Sequence, residues 1–542
     1  MKFTLSKKTV FILILGIIFL FFSFTSKFFE VAKQIEIYNT LFKELNMYYI
    51  DEINPAELTN KAIKNTLKDL DPYTVFYDEQ EVEDARIRKE GEYGGIGVST
   101  YYSKKGIQIN EVYKGYSADK AGLKAGDLII SIDGQSLQNM ERDQLSLFLK
   151  GIPNSSFTLQ LLRQGEVIKK EISRDKIIMK AVPFAEMIDS ETGYIALTGF
   201  NSRASSEVKK AFQKLKNQGM QRLVFDLRSN PGGSLFESIN IANFFLPKGK
   251  VIVKTKAKVK KWSTTYKASN KPLDLEIPIV VLVNRRSASA SEIVSGALQD
   301  YDRAIIMGER SFGKGLVQSY RKLTYGTQLK LTISKYYTPS GRCIQELDYA
   351  NRDAKVTIPK FSDQGINEFK TSNGRIVYDG GGILPDIKMK RSKSTEATKT
   401  LVKSRAIFNY ATNYYYQNPS IARRIDFDFK EVDFERFVKY LQSDTTFITK
   451  QESLFKGAYN SLSTKKITTE YKAIKEKLLQ DKIADISKNK DILKKILKEE
   501  ILKRYYYQEG VYHHNLKNDT VIKEAVLLLQ NQEMYKRLLS AK

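Results

Sequence analysis

The chain reads as a multidomain α+β protein. It has an α/β core, a small β-rich domain inserted ahead of that core, a helical N-terminal region and a helical C-terminal region. Three observations predict this. A chain of 542 residues is too long for one core, so about three or four domains are expected. From Asp175 to about Lys390, strand-like and helix-like apolar patterns alternate, as in a sheet with helices on its faces. From Gly91 to about Arg174, short strands separated by turn signals replace that alternation. Hydrophobic residues make up 42% of the sequence and aromatic residues 11%, a composition that excludes large-scale disorder.

The elements can be justified in chain order. Residues 1–27 form a stub and an apolar segment. Lys2, Lys7 and Lys8 precede an uncharged run from Thr9 through Ser26. That length is near the minimum for a membrane-spanning helix, and lysines ahead of it keep the N-terminus in the cytoplasm. The small-x-small pattern of a cleaved signal is poorly met around Ser23-Phe24-Thr25, so an uncleaved anchor is preferred over a signal peptide.

Residues 28–90 read as helices. Ile37, Leu41 and Leu45 share one face, as do Ile63, Leu67 and Leu70. Asn54-Pro55 marks the start of the second helix. These faces suit a packing domain or a homodimer contact. In residues 91–174 the strand-like runs are Ile107–Ile109, Leu128–Ile132 and Phe157–Leu162, with turns at Asp133-Gly134 and Gln164-Gly165 and one helix near Arg142–Lys150.

In residues 175–390, Val208–Asn217, Ser234–Phe245 and Ala290–Leu298 read as helices. Leu223–Leu227 and Ile277–Val283 read as buried strands. Residues 391–542 are helical and rich in lysine and tyrosine. Val521–Leu529 carries an apolar pattern that should pack inward, and Lys488–Asp491 reads as a solvated face.

The net charge of +26 invites a nucleic-acid reading. No Arg-rich arm or nucleic-acid-binding motif accompanies it, so lysines spread over solvated faces are preferred and no nucleic-acid partner is expected. The one cysteine, Cys343, excludes an internal disulfide. Arg342 beside it is a weak activator, and a packed thiol is expected. The two histidines, His513 and His514, are adjacent in the C-terminal tail. A Ser-His-Asp triad would have to recruit one of them from there, so serine activated by lysine is the more economical chemistry. That chemistry requires no metal and no cofactor.

Two segments can supply it. Asn284–Glu292 puts small hydroxyl residues where a buried strand runs into a helix, the end of an α/β sheet at which ligands bind. The free N–H groups at the head of that helix can hold an oxyanion. Lys314 lies between Gly313 and Gly315. A lysine base must be neutral, and the apolar neighbours Phe312, Leu316 and Val317 could desolvate it. A third segment, Asp226–Ser234, is either a plain turn or a second source of oxyanion N–H groups. Gly308–Gly315 nearly matches a phosphate-binding loop. It lacks the magnesium-binding hydroxyl, and a strand follows it where a helix is needed, so nucleotide binding is rejected.

Taken in order, Ser287-Ala288-Ser289-Ala290-Ser291-Glu292, Phe312-Gly313-Lys314-Gly315-Leu316-Val317-Gln318, Tyr337-Thr338-Pro339-Ser340-Gly341-Arg342 and Gly381-Gly382-Ile383-Leu384-Pro385-Asp386 resemble the carboxy-terminal processing (tail-specific) serine peptidases. Leu70-Asp71-Pro72-Tyr73-Thr74 resembles a motif ahead of that family's PDZ domain. The likeness spans about residues 35 to 390. It implies a crotonase/ClpP-like peptidase core over 175–390 and a PDZ domain over 91–174. It implies Ser289 as nucleophile, Lys314 as general base and Gln318 as the residue that holds the lysine. The oxyanion donors would be the N–H of Ala290 and of a glycine in the Asn230–Gly233 turn, with Gly233 preferred over Gly232. Ser287 and Ser291 would cap or face away. Gly94-Gly95-Ile96-Gly97-Val98 would be the carboxylate-binding loop for a peptide added as a strand.

The resemblance therefore implies a serine endopeptidase, and the apolar run Thr9–Ser26 with the lysines before it makes the expected protein membrane-anchored. It would lie in the bacterial inner membrane as a single-pass protein, with its protease domain on the periplasmic side. Its substrates would be proteins with free C-terminal tails. The rival readings are a PDZ scaffold that binds peptide without cleaving it, and a nucleic-acid-binding chain.

Overall fold

A computed structural model describes residues 7–351, 358–360, 366–389, 393–461 and 468–540. The chain divides into two compact units that part after Phe76.

The first unit holds two helices. α1 runs from Lys7 to Tyr48 without interruption. The side chains of the run Thr9–Ser26 lie outside the described residues. Among the described residues, no helix is long and apolar enough to cross a membrane. Further along α1, Ile37 and Leu41 are exposed. α2, Pro55–Lys68, starts where its sequence signal lies: Asn54 Oδ1 accepts from the N–H groups of Ala56 and Glu57, and Pro55 takes the first turn.

The second unit opens with α3, Glu79–Glu90, capped by Asp78 and closed by Gly91. Strand β1 (Glu92–Gly95) leads into five antiparallel strands: β2 (Val98–Ser103), β3 (Gly106–Val112), β4 (Leu128–Ile132), β5 (Ser156–Arg163) and β6 (Glu166–Ser173). Helices α4 (Ser117–Lys120) and α5 (Arg142–Phe148) interrupt them, and β7 (Asp175–Ile178) returns to pair with β1. Period-two alternation puts Ile107, Ile109, Ile129, Leu159 and Leu161 into one small core.

The chain continues through β8 (Phe184–Met187), β9 (Thr192–Ala196), α6 (Ala204–Asn217), β10 (Arg222–Asp226), α7 (Leu235–Asn243), β11 (Val251–Ala257), β12 (Thr265–Lys267), β13 (Ile279–Val283), α8 (Ala290–Asp300), β14 (Ile305–Gly308), β15 (Leu316–Lys322), β16 (Gln328–Tyr337) and β17 (Ile387–Lys388). The central sheet has the order β8-β9-β10-β13-β14-β17 and is parallel apart from β8. The Gly381–Asp386 segment delivers β17 to its edge. A second layer pairs β15, β16, β11 and β12 antiparallel.

The strands of the central sheet feed two cores. Leu223, Phe225, Ile279, Val281 and Val283 pack with Phe212 of α6, Ile239 of α7 and Val294 of α8. Their neighbours Val224, Val280 and Leu282, with Ile305 and Met307, face the opposite way. Covering both faces explains why β13 reads as an unbroken apolar run.

The cover on the opposite face comes from the C-terminus. The helices there are α9 (Glu396–Lys403), α10 (Ala406–Gln417), α11 (Glu431–Ser443), α12 (Lys450–Asn460), α13 (Thr468–Ser487), α14 (Lys490–Asn518), α15 (Thr520–Gln530) and α16 (Gln532–Leu539). The first of them have their own core around Phe429, Phe437, Leu497 and Ile501. Ile522, Ala525, Leu528 and Leu529 of α15 and Tyr535 of α16 pack on Val224, Val280, Leu282, Ile305 and Met307. The apolar pattern of Val521–Leu529 packs inward as expected, and what it packs on is the sheet that carries the site.

α14 also meets the β-rich domain. Tyr507, which breaks the helix at φ 56°, donates its hydroxyl to Asp119 Oδ1 at 2.6 Å. Lys114 pairs with Glu509 at 3.1 Å. Nearby, Arg405 donates to Asn110 and Gln108 of β3.

Candidate active site

The chain leaves β13 at Val283 and enters α8 at Ala290 through a tight turn. Ser289 caps α8 with φ 56° and ψ −111°, a conformation that costs a non-glycine residue about 1–3 kcal/mol. The surroundings hold it there. Ser287 and Ser291, expected to cap or face away, are both fully buried. Ser287 Oγ donates to Leu227 O at 2.8 Å and Ser291 Oγ to Asn230 O at 3.0 Å. The two hydroxyls point inward onto carbonyls of the loop after β10, which also accept from the N–H groups of Asn230 and Ala288.

That loop is the Asp226–Ser234 segment. Asn230 is fully buried and organises it. Its Nδ2 donates to Leu197 O at 2.8 Å, its Oδ1 accepts from Gly232 N–H at 2.9 Å, and its carbonyl accepts from Ala288 N–H at 3.0 Å. Gly232, at φ 97°, lies against the serine turn: a Cβ there would sit 2.8 Å from Ser289 Cβ and 3.0 Å from Ala290 N. Only glycine fits such an approach. With the Gly232 N–H engaged by Asn230, the two glycines differ. Among the described residues, the N–H groups of Gly233 and Ala290 engage in no hydrogen bond.

Lys314 reaches the same place from the next crossover. Gly313, at φ 86°, bends the chain so that successive N–H groups point inward. Glu292, fully buried in the first turn of α8, receives them. Its Oε1 accepts from Ser311 Oγ at 2.6 Å and Gly313 N–H at 2.7 Å. Its Oε2 accepts from Ser289 N–H at 2.7 Å and Lys314 N–H at 3.0 Å. Burial pushes the Glu292 carboxyl above its ordinary pKa, and these four hydrogen bonds oppose the rise.

Tyr336 of β16 is also buried and makes the matching link between carbonyls. Its hydroxyl donates to Lys314 O at 2.6 Å and lies 3.0 Å from Ser289 O. One carboxylate and one phenol thus tie the Ser289 and Lys314 backbones together. Sequence reasoning assigned neither. Glu292 left a signal, since Ser289-x-x-Glu292 has capping-box spacing. Tyr336 left none, because its partners are distant in sequence.

Lys314 itself is partly buried. Of the neighbours expected to desolvate it, Leu316 is buried and Val317 partly so, but Phe312 is 46% exposed. Phe312 precedes the inward bend, and its N–H is held by Ser287 O at 3.0 Å, so its ring stays outside. Gln318, on β15, donates its amide to Thr332 Oγ1 of β16 at 3.3 Å. Arg342 is fully buried and pairs with Asp300 at the end of α8, a structural use of the Tyr337–Arg342 motif. Burial raises the pKa of the Cys343 thiol, in keeping with a packed, unreactive cysteine.

The Gly94–Val98 segment forms the rim of a second site. Gly94 and Gly95 belong to β1, and Ile96 and Gly97 bridge to Val98 in β2. Gly97 has φ 80°, and a Cβ there would lie 2.4 Å from Tyr116 Cβ. The carbonyls of Ile96 and Gly97 accept from Ala118 and Tyr113, whereas their N–H groups engage in no hydrogen bond among the described residues. Beside them is a cleft of about 110 Å³, lined by Ile87, Tyr93, Ile96, Val98, Leu149 and Lys150 among others.

An α/β sheet carrying a strained serine, a nearby lysine segment and two unengaged N–H groups defines a serine hydrolase, and comparison with known proteins makes the class specific. Three family models match in chain order: a PDZ domain over 84–162, Peptidase family S41 over 191–355, and a "Probable PDZ-protease, C-terminal helical domain" over 397–529. A "Probable CtpA-like serine protease" of Staphylococcus aureus is 33% identical over 352 residues, covering 64% of this chain and 70% of that protein. A "Carboxy-terminal-processing protease" of Bartonella bacilliformis is 35% identical over 319 residues, covering 58% and 73%. Among solved structures, the photosystem II D1 C-terminal processing protease aligns over 64% of this chain and 91% of its own, at 26% identity and a TM-score of 0.36. The chain belongs to peptidase family S41: it is a carboxy-terminal-processing serine peptidase with a PDZ domain and a helical C-terminal domain.

Proposed function

We propose that this chain cleaves proteins through a Ser289–Lys314 dyad after capturing their C-terminal tails on its PDZ domain. The observation that carries the reading is the shared Glu292 carboxylate, which holds the N–H groups of Ser289 and Lys314 at 2.7 and 3.0 Å. Neutral Lys314 takes the proton from Ser289 Oγ, and the oxygen attacks the scissile carbonyl carbon. The N–H groups of Ala290 and Gly233 hold the oxyanion. Lys314 then protonates the leaving amine, and an acyl-enzyme remains. Lys314 next activates a water, which releases the new C-terminus and frees Ser289. Gln318 keeps the lysine in place from the adjoining strand. The substrate's terminal carboxylate accepts from the Ile96 and Gly97 N–H groups within the Gly94–Val98 loop, and its last apolar side chain enters the cleft beside them.

The test is cleavage of a peptide with an apolar, free C-terminus. Ser289→Ala should be inactive, and Lys314→Arg nearly as inactive as Lys314→Ala, because arginine keeps its proton near neutral pH. Wild-type turnover in either variant would overturn the dyad. Blocking the peptide's C-terminus as a carboxamide should slow cleavage, and equal rates would overturn the role of the PDZ loop.

The same reading extends to location. The apolar run Thr9–Ser26 acts as an uncleaved anchor in the bacterial inner membrane, with the lysines before it inside and the protease on the periplasmic side. Cell fractionation tests it. Recovery of a free protein that begins near Ser26 would mean that the segment is a cleaved signal.

A further inference from the structure

The oxyanion loop has an outer fastening that lies in the C-terminal helical domain. Just after β10, Arg228 folds back on Asp226, to which it donates from Nε and from Nη2, the latter at 2.6 Å. Tyr194 donates to the same carboxylate at 2.7 Å. The remaining guanidinium nitrogen reaches out of the peptidase core to Asp519, at 3.1 and 3.2 Å from its two oxygens. Asp519 joins α14 to α15. Its Oδ1 also caps α15, accepting from Val521 and Ile522 N–H at 2.9 and 3.2 Å. Its other partner is Lys495, at 3.0 Å. The Asp519 side chain is only 4% exposed.

The position of this contact gives it meaning. Ser229 follows Arg228 with φ 61°, a strained conformation that something must hold. Beyond it come Asn230 and then Gly233, whose N–H is the proposed oxyanion donor. The inner end of the loop is fixed by Asn230 against the serine turn. The outer end is fixed by Arg228 between two carboxylates, one in the sheet and one in the C-terminal domain.

We infer that Asp519 is a positioning residue for the peptidase reaction, which holds the oxyanion loop in register through Arg228 and so makes the C-terminal helical domain part of the catalytic apparatus. The inference rests on the proposed role of the Gly233 N–H. An oxyanion donor acts in the transition state, and small displacements of it are costly. Loosening the outer end should therefore lower kcat and leave substrate capture by the PDZ domain unaffected.

The experiment compares full-length wild type, Asp519→Asn, Asp519→Glu, Lys495→Ala and Ser289→Ala on a fluorogenic peptide with an apolar, free C-terminus. Asparagine still caps α15 but loses the charge that Arg228 pairs with, so the helix start is preserved. Asp519→Asn is expected to lower kcat about tenfold with KM within about twofold. It should also weaken a peptide aldehyde inhibitor, whose hemiacetal oxygen needs the same donor, by a similar factor. Asp519→Glu should recover part of kcat, and Lys495→Ala, which removes only the other partner, should leave kcat unchanged. Wild-type kcat and aldehyde affinity in Asp519→Asn would overturn the inference, as would an equal loss in Lys495→Ala. Failure of the site reading itself would appear separately, as turnover that survives in Ser289→Ala.

Discussion

At the scale of single residues, Glu292 carries the most organisation. Four donors from two distant segments converge on its carboxylate, and both oxygens are filled. A glutamine there keeps the shape but turns an NH2 group toward two donors. Each donor left unsatisfied costs about 1–3 kcal/mol, and the Ser289 and Lys314 backbones would part. Glu292→Gln is therefore expected to lower kcat about 100-fold and to reduce stability by about 2–6 kcal/mol. Peptide turnover and urea unfolding check both, and wild-type kcat in this variant would mean that the shared carboxylate does not position the dyad. Ser289 and Lys314, both named from sequence, share the Glu292 carboxylate through their backbone N–H groups, but the atoms that hold them in register were not named. Ser289 and Lys314 are legible because a serine among small residues at a strand-to-helix turn and a lysine between two glycines are local patterns. Glu292 and Tyr336 act through backbone groups, and nothing in a side-chain pattern records that.

At the scale of elements, the junction of α14 and α15 is where acid should act. Asp519 lies between Arg228 and Lys495, and these cations, with the α15 N–H groups, lower its pKa from 3.8 to about 2 against the opposing cost of burial. A folded-state value below the unfolded one means that the ionised carboxylate favours the folded state. That contribution is fully present above about pH 4 and is lost as pH falls toward 2. It amounts to about 2 kcal/mol. Wild type should therefore lose about that much more stability than Asp519→Asn between pH 5 and pH 2, read from urea unfolding at each pH. Parallel losses would mean that Asp519 is not held ionised by its partners. Element boundaries were mostly legible: the helix expected over Ala290–Leu298 is Ala290–Asp300, and the strand expected over Leu128–Ile132 falls on those residues. Periodicity gives an element its type and its buried face. It does not say which other element covers that face.

At the scale of the molecule, the C-terminal helices close the peptidase core. Val224, Val280, Leu282, Ile305 and Met307 have α15 and α16 as their cover. Burying five such side chains contributes on the order of 10 kcal/mol, comparable to the whole net stability of a domain. A chain cut after Asp519 is thus expected to be insoluble, or expanded with exposed apolar surface, even though the S41 model ends at 355. Dye binding and gel filtration of the truncated chain check this, and a compact, active product would show that the central sheet does not need its second cover.

The sequence by itself determined the order of domains, the α/β character of the core, the glycine-bordered lysine and the serine turn. Each of these rests on a local pattern: apolar period, turn residues, and a serine or a lysine set among small neighbours. Only the tertiary structure decided that Gly232 gives its N–H to Asn230 while Gly233 keeps its own. It also decided that the two flanking serines turn inward, and that a lysine-rich tail with no readable role covers the catalytic sheet and grips Arg228. The serine and Arg228 contacts join groups 60 to 291 residues apart in the chain, and such meetings are set by packing and hydrogen-bond satisfaction over the whole fold rather than by any local run of residues.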